Sequence, residues 1–168
     1  METRTLSAEA ISDTNIAGYG RYVRTEQQKP AAELTEFAFW NKLALVNHAS
    51  TSIGLVYVHK QPEAVSTIFE QHLNTTETLI PADGDVVLVL AKPLATDTRQ
   101  IDLTTVRALR LSAGDAVVLD AGVWHFAPHP VGRSVKVWVI FQEDTPDNDL
   151  FMRHVDQEQN LRFVVAGL

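Results

Sequence analysis

Short runs of β-branched and apolar residues, separated by turn residues, constrain the fold of this chain more than any other feature. The runs are Ile53–Val58, Thr75–Ile80, Asp85–Ala91, Thr105–Leu111, Asp115–Leu119, Ser134–Phe141 and Arg162–Val165. Their spacing of roughly 8 to 15 residues, with few helical stretches between them, is typical of antiparallel sandwiches and barrels. The pattern therefore predicts an all-β fold.

Two of these runs carry more specific information. Asp85–Ala91 is almost continuously apolar, which predicts a strand buried on both faces. We expect this strand to end at Lys92-Pro93, because proline interrupts ladder hydrogen bonding. In Ser134–Phe141, apolar residues alternate with other residues, which is typical of a strand with one face in the core.

Helical signals are sparse. Residues Ser7–Ile11 predict a short helix with Ser7 as its N-cap, whereas the state of Ala31–Leu45 stays undecided. The acidic stretch Glu143–Asp149 is interpreted as a solvated loop. No repeat or linker is visible, so we expect a single domain over residues 1–168, with a core over about 15–145 and a C-terminal extension over 146–168.

Length and composition exclude several functional classes. The 168 residues suffice for one well-buried core. A net charge of −7 argues against nucleic-acid binding, which needs a basic face. The chain has no cysteine, hence no thiolate nucleophile or ligand, and its longest apolar run is too short to cross a bilayer. We therefore expect a cytoplasmic protein that acts on a small molecule, without nucleic-acid or membrane partners.

Two short motifs bring metal-ligating residue types into this strand-rich context. Glu70 and His72 stand two positions apart, so on a strand both side chains point to one face. Glu77 follows after a bend, and His125 lies after a turn at Gly122. Two imidazoles and two carboxylates suit a divalent transition metal, namely Mn, Fe, Co, Ni or Zn. These four residues are the predicted metal ligands, and no organic cofactor is expected.

Both motifs resemble the signature motifs of the cupin superfamily. Glu70, His72, Glu77 and Gly84 match the first motif, with glutamate in place of its first histidine. The second motif is matched by Gly114, Asp120, Gly122, His125 and His129, with aspartate replacing proline and His129 replacing asparagine. The resemblance implies a single-domain cupin, a double-stranded β-helix or jelly-roll barrel with minor short helices.

A narrower resemblance is to the ureidoglycolate lyase family, small cupins of purine and allantoin degradation. The matching segments are Gly18–Gly20, Trp40–Val46, Phe69–His72, Leu79–Pro81, Val87–Pro93 and Gly122–His125 with Pro128. They cover about residues 15 to 145. Family members usually carry glutamine at position 77, phenylalanine at position 79 and an arginine near His59, so this chain departs from the family at these points.

The resemblance implies cleavage of ureidoglycolate into glyoxylate and urea by acid–base chemistry, with metal assistance where a metal is bound. Glu70, His72 and His125 are the predicted catalytic residues, Glu70 or His125 serving as base and the other, or His72, as acid. His59, Trp124 and His129 are predicted substrate-binding residues, with Trp124 packing in the core or the pocket wall. The resemblance also implies a homodimer, and the apolar run Ile53–Val58 would need covering if it formed a sheet edge.

Two alternatives stay open at the sequence level. Glu77 and the missing arginine would also suit a metal-dependent cupin that acts on another small hydroxy acid or sugar, as an isomerase, epimerase or dioxygenase. A non-catalytic cupin that binds a small molecule would show ligand-induced stabilisation without turnover.

Overall fold

The computed structural model describes residues 1–25 and 28–168 and consists mainly of strands. The strands are β1 (Glu2–Ser7), β2 (Glu9–Ala10), β3 (Gly20–Val23), β4 (Ala32–Glu33), β5 (Ala38–Phe39), β6 (Thr51–Val58), β7 (Ala64–Ser66), β8 (Ile68–Gln71), β9 (Glu77–Pro81), β10 (Val86–Leu94), β11 (Asp97–Leu111), β12 (Ala116–Leu119), β13 (His129–Pro130), β14 (Val135–Gln142), β15 (Phe151–His154) and β16 (Leu161–Ala166). Two short helices, α1 (Thr145–Asn148) and α2 (Val155–Gln159), lie near the C-terminus. The prediction of an all-β fold is confirmed.

Three sheets form the body of the molecule. A five-stranded sheet has the order β3-β12-β9-β14-β6, and a four-stranded sheet has the order β13-β10-β11-β2. A three-stranded sheet, β1-β16-β7, contains the parallel pair of β1 and β16. Two small sheets, β15-β8 and β4-β5, complete the described part of the chain.

Strand β10 lies between two hydrophobic cores. Its side chains at Val86, Leu88 and Leu90 belong to a core shared with the five-stranded sheet, including Leu79, Val117, Val137 and Val139. Its alternate side chains at Val87, Val89 and Ala91 belong to a second core with Phe69, Trp124, Leu161 and Phe163. From Val86 to Ala91 no residue is more than 5% exposed, so the prediction of a strand buried on both faces is confirmed.

The predicted helix at Ser7–Ile11 is wrong. Ser7 ends β1, which pairs in parallel with β16, and Glu9 and Ala10 pair with β11. The β-branched residues Thr3 and Thr5 earlier in the run favour the extended conformation. Pairing with two other strands then outweighs the weak helical tendency of the residues after Ser7.

Two other expectations need correction. Strand β10 continues past Lys92-Pro93 to Leu94, because the ladder with β11 shifts register on both sides of these residues and such irregularities tolerate proline. The acidic stretch Glu143–Asp149 is mostly exposed, as expected, but it is not entirely a loop. It contains α1, with Pro146 in the first turn, and both Thr145 and Asp149 are buried.

The ends of the chain are part of the same packed structure. Leu161, Phe163 and Val165 of β16 are each at most 3% exposed. The division into a core over 15–145 and an extension over 146–168 stays a prediction, but these C-terminal residues contribute to the second core. In the undecided segment Ala31–Leu45, the structure has only the short hairpin β4-β5. None of the described helices is long and apolar enough to span a membrane.

Candidate active site

Backbone hydrogen bonds join the two sequence motifs directly. Glu70 and His125 form an antiparallel bridge, in which the His125 N–H donates to the Glu70 carbonyl at 2.9 Å. The Gly122 N–H donates to the His72 carbonyl at 2.7 Å. Gly122 has φ +87°, a left-handed conformation that glycine adopts without strain. Motifs about fifty residues apart in sequence are therefore neighbours in space.

The side chain of Gln71 adds to the hydrogen bonds between the two motifs. Its side chain is fully buried, and Nε2 donates to the carbonyls of Gly122 at 2.6 Å and Thr98 at 2.8 Å. Consecutive side chains on a strand point to opposite faces. Gln71 points into the protein, so Glu70 and His72 on either side of it point to the opposite face, where both line a cavity.

Four side chains converge at this cavity. Glu77 Oε2 lies 3.1 Å from His72 Nε2 and 3.5 Å from His125 Nε2, and Glu70 Oε1 lies 3.9 Å from His125 Nε2. The imidazole rings meet edge to face, with centroids 5.2 Å apart. The structure thus brings together all four predicted metal ligands, which include the three predicted catalytic residues.

Both imidazoles are oriented by backbone carbonyls. His72 Nδ1 lies 2.7 Å from the Asp149 carbonyl oxygen, and His125 Nδ1 lies 2.9 Å from that of Val123. A carbonyl only accepts, so each Nδ1 carries the proton and each Nε2 faces the carboxylates. This arrangement of histidines, with Nδ1 anchored and Nε2 free to ligate, is the one that metal sites use.

Burial and mutual charge shift the pKa of every group in the site. Burial raises the pKa of Glu70. Burial would also raise the pKa of Glu77, but the charge of His125 and the close contacts with both imidazoles lower it to about 2. For His125, burial favours the neutral ring, yet the charges of Glu77 and Glu70 raise its pKa to about 9. The pKa of His72 is also raised, since its contacts with Glu77 and Asp149 outweigh burial.

These shifts predict how the stability of the metal-free protein depends on pH. The pKa of His125 is 6.5 in its ordinary state and about 9 when folded, so its stabilising contribution is present below pH 6.5 and is lost as pH rises through 9. We expect the free energy of unfolding, measured by urea denaturation in excess chelator, to fall by on the order of 2 kcal/mol across this range. The variant His125→Gln should lack most of that slope, and an equal slope in both proteins would refute the assignment.

The donor set fits a divalent transition metal. One ligand atom each from Glu70, His72 and His125 lies within 4.8 Å of the others, and Glu77 contacts both imidazoles. His125 Nε2 is buried and has no hydrogen-bond partner of good geometry among the described residues, as expected of an atom placed to ligate. Two nitrogen and two carboxylate ligands suit Mn, Fe, Co, Ni or Zn.

The cavity above these groups has a volume of about 250 Å³. Its other walls are mainly apolar and come from β6, β9, β14, α1, the residue Leu150 after α1, and the segment after His125. The residues are Gly54, Leu55, Val56, Leu79, Phe126, Ala127, Pro128, Val139, Phe141, Thr145, Pro146 and Leu150. The lining includes the carboxylates of Glu70 and Glu77 but no lysine or arginine among the described residues. An anion entering this cavity would meet no side-chain cation other than a protonated histidine.

The three predicted substrate-binding residues lie outside this lining. His59 packs edge-on against Tyr57, with ring centroids 4.8 Å apart. Trp124 is 1% exposed and belongs to the second core. His129 lies 2.8 Å from Ser66 Oγ and faces a separate small pocket with Lys60, where burial and the lysine charge lower its pKa. A role of these residues in substrate binding stays a prediction that the cavity does not support.

Asp149 is a site residue that the sequence did not reveal. Its carboxylate accepts hydrogen bonds from the N–H groups of Leu73 and Asn74 at 2.9 and 2.8 Å, and from Asn74 Nδ2 at 3.0 Å. Its carbonyl orients His72. Asp149 therefore fixes the bend between His72 and Glu77. Its position in a strongly acidic stretch gave no signal that this one carboxylate is buried.

We expect Asp149→Ala to destabilise the protein by about 2 kcal/mol, because two backbone N–H groups at the bend lose their partner. The measurement is the free energy of unfolding in urea, and Asp147→Ala, an exposed aspartate in α1, is the matched control. Equal stability of the two variants would show that Asp149 does not hold the bend.

Several solved structures are similar to part of the chain. A protein from Bacillus halodurans is 18% identical over 54% of this chain and 61% of its own, with a TM-score of 0.41. RmlC from Streptococcus suis, in complex with dTDP-D-xylose, is 11% identical over 56% of this chain and 44% of its own, with a TM-score of 0.41. A variant of the oxalate decarboxylase of B. subtilis is 18% identical over 65% of this chain and 25% of its own, with a TM-score of 0.44. The chain thus spans less than two thirds of each of these proteins.

A family model gives the identification. No curated protein matches the chain in sequence. The model described as ureidoglycolate lyase, in contrast, matches residues 3–162, which include both motifs and all four converging side chains. This match extends beyond the segments that resemble the family in sequence, which cover about residues 15 to 145. The chain belongs to the ureidoglycolate lyase family.

Proposed function

We propose that this chain is an enzyme that cleaves ureidoglycolate into glyoxylate and urea, with the help of a divalent metal. Family membership supports the reaction. The observation that carries the metal-assisted form is the group of two carboxylates and two imidazoles that converge next to the cavity, whose described lining contains no lysine or arginine.

Charge explains why the site needs a cation. Ureidoglycolate carries a carboxylate, and the cavity that would receive it already contains Glu70 and Glu77. Glu77 is ionised throughout the neutral range because its pKa is about 2. Like charges at close range in a partly buried site disfavour binding. In the metal-free protein a protonated His125, whose pKa is about 9, offsets part of this negative charge, whereas an imidazole that binds a metal through Nε2 is neutral. A bound divalent cation would neutralise the acidic residues and attract the substrate.

The four side chains fit this role. His72 and His125 would offer Nε2 and Glu77 a carboxylate oxygen. Glu70 would offer one of its two oxygens, which leaves the other to accept and return a proton. When bound, a divalent metal supplies positive charge for a substrate carboxylate and lowers the pKa of a hydroxyl group next to it. The apolar walls, among them Leu79, Phe126 and Phe141, would exclude water and strengthen these electrostatic interactions.

Glu70 is best placed to move the proton. Its side chain is 24% exposed, compared with 10% for Glu77, and burial raises its pKa toward the range useful for acid–base catalysis. Glu70 accepts the hydroxyl proton as the C=O bond of glyoxylate forms and the C–N bond breaks. The electron pair of the C–N bond goes to the urea nitrogen, and Glu70 returns the proton there. An imidazole that ligates through Nε2 has its one proton on Nδ1, which donates to a backbone carbonyl and not to the cavity, and this leaves the second transfer to Glu70.

The reaction is tested by product analysis. Purified protein is treated with a chelator, divided, and assayed with ureidoglycolate alone or after addition of Mn, Fe, Co, Ni or Zn. We expect glyoxylate and urea in equal amounts in at least one metal-loaded sample. Absence of glyoxylate from every sample would refute the proposal. Release of another product from another hydroxy acid would favour the alternative of a different metal-dependent cupin.

The proposal extends to the assembly of the enzyme as a homodimer. Strand β6 is an edge of the five-stranded sheet, and it presents Ile53 and Tyr57, which are 68% and 50% exposed. Trp138 on the neighbouring β14 is 45% exposed. Apolar side chains along an unpaired edge favour pairing with a second copy. Sedimentation equilibrium tests this point, while cytoplasmic location and a role in allantoin degradation stay predictions.

A further inference from the structure

A second pocket, of about 210 Å³, lies away from the candidate active site. Its walls come from the segment before β3 and from β10 and β11, and include Thr14, Asn15, Tyr19, Lys92, Thr105 and Arg107. It shares no lining residue with the first cavity. The active-site cavity has two acidic side chains and no lysine or arginine in its described lining, whereas this pocket has two cationic side chains and no acidic one.

The two cations continue a face of the sheet that is otherwise apolar. Arg107 stands two positions before Leu109, and Lys92 stands two positions after Leu90, both leucines being fully buried in the first core. Residues two apart on a regular strand share a face, which places Arg107, the cross-strand partner of Leu90, on this face. The ladder shifts register between Leu90 and Lys92, so it is the contact with Tyr19 that places Lys92 there. Tyr19, which belongs to the same core, contacts Lys92. A lysine and an arginine therefore occupy the end of the face that packs against the five-stranded sheet.

The position of Lys92 is fixed by its surroundings. Its Nζ lies 4.8 Å from the centre of the Tyr19 ring, in a cation–π contact, and the Tyr19 hydroxyl donates to the Thr105 carbonyl. The Lys92 backbone N–H donates to Thr105 Oγ1 at 2.9 Å. A Cβ on Gly18 would lie 2.6 Å from Nζ, so the glycine leaves the space that the ammonium group occupies. The lysine is thus preorganised rather than free in solvent.

Neither cation of this pair forms an ion pair with a described residue. No carboxylate of the described residues lies within 4.0 Å of either Lys92 or Arg107, although the chain as a whole carries a net charge of −7. Asp102 pairs with Lys92 across the ladder, but its carboxylate accepts hydrogen bonds from Thr104, and Glu9 accepts one from Asn15. Two cations that line one pocket repel each other, and a bound anion would relieve this repulsion.

We propose that this pocket binds a small oxyanion, with Lys92 and Arg107 as its charged ligands. Arginine offers two parallel N–H donors that match phosphate and carboxylate groups, and the ammonium group of Lys92 adds a point charge. Thr14 in the lining offers a hydroxyl donor. The volume accommodates inorganic phosphate or a short dicarboxylate.

The test is isothermal titration of the full chain with inorganic phosphate and, separately, with malonate, at constant ionic strength. We expect saturable binding of one anion per chain. The double variant Lys92→Gln/Arg107→Gln should bind about tenfold more weakly or not at all, because two charge-assisted contacts are lost. The better of the two anions identifies whether the site prefers phosphate or carboxylate.

Matched variants separate this site from general attraction of anions. Arg21→Gln/Lys136→Gln removes the same charge at positions outside the pocket and should bind as the wild type does. Lys92→Arg/Arg107→Lys keeps both charges and should retain saturable binding. If the double glutamine variant does not fold, the single variant Arg107→Gln, at an exposed position, should still weaken binding severalfold. Absence of saturable binding to the wild type, or equal affinity of the wild type and the folded Gln variants, would overturn the proposal.

Discussion

The variant Glu70→Gln is expected to lose about a thousandfold in kcat for glyoxylate release, because an amide can neither accept the hydroxyl proton nor return it to the urea nitrogen. The side chain keeps its size, and the backbone bridge between residues 70 and 125 does not involve it. The fold should therefore survive. Steady-state rates with saturating ureidoglycolate, measured on metal-loaded protein, give the comparison.

Glu33→Gln is the matched control for this experiment. Glu33 lies on the exposed hairpin strand β4, outside the cavity lining, so its replacement should leave kcat unchanged. An activity of Glu70→Gln within threefold of the control would show that Glu70 does not carry the proton. A variant that loses its metal as well as its activity would instead assign Glu70 mainly to metal binding, which metal analysis of the same sample distinguishes.

The variant Glu77→Gln is expected to lower the affinity for a divalent metal by about a hundredfold or more, because it removes the charged group that contacts both imidazoles. The substitution installs the amide that the resemblance assigns to most family members at this position. Competition with a chromogenic chelator measures the affinity. Unchanged affinity would remove Glu77 from the metal site and leave Glu70, His72 and His125 as the donor set.

Much of this site was predictable from the sequence because the strands impose a simple rule. Glu70 and His72 stand two apart on an extended segment, so their common face follows from alternation. The proximity of His125 required a second motif, since spacing alone does not pair strands about fifty residues apart. The family resemblance supplied that pairing, and the structure shows it as a direct bridge between Glu70 and His125.

Other features depend on tertiary contacts that local sequence does not encode. Asp149 is one of four acidic residues in a short stretch, and only its packing against the bend at Leu73 distinguishes it from its exposed neighbours. Ser7–Ile11 has helical tendency but forms strands, because β16 and β11 offer backbone partners from distant parts of the chain. In the same way, Trp124 lies between Gly122 and His125 of the second motif, but its side chain packs in the second core and not at the cavity.

Metal content and activity, measured together, test the central claim most directly. Chelated protein is titrated with the most effective divalent metal, and bound metal and the rate of glyoxylate release are measured in each sample. The account predicts that the rate rises in proportion to bound metal and reaches its maximum at one metal per chain. Full activity in the metal-free protein, or one tightly bound metal without any glyoxylate release, would contradict it.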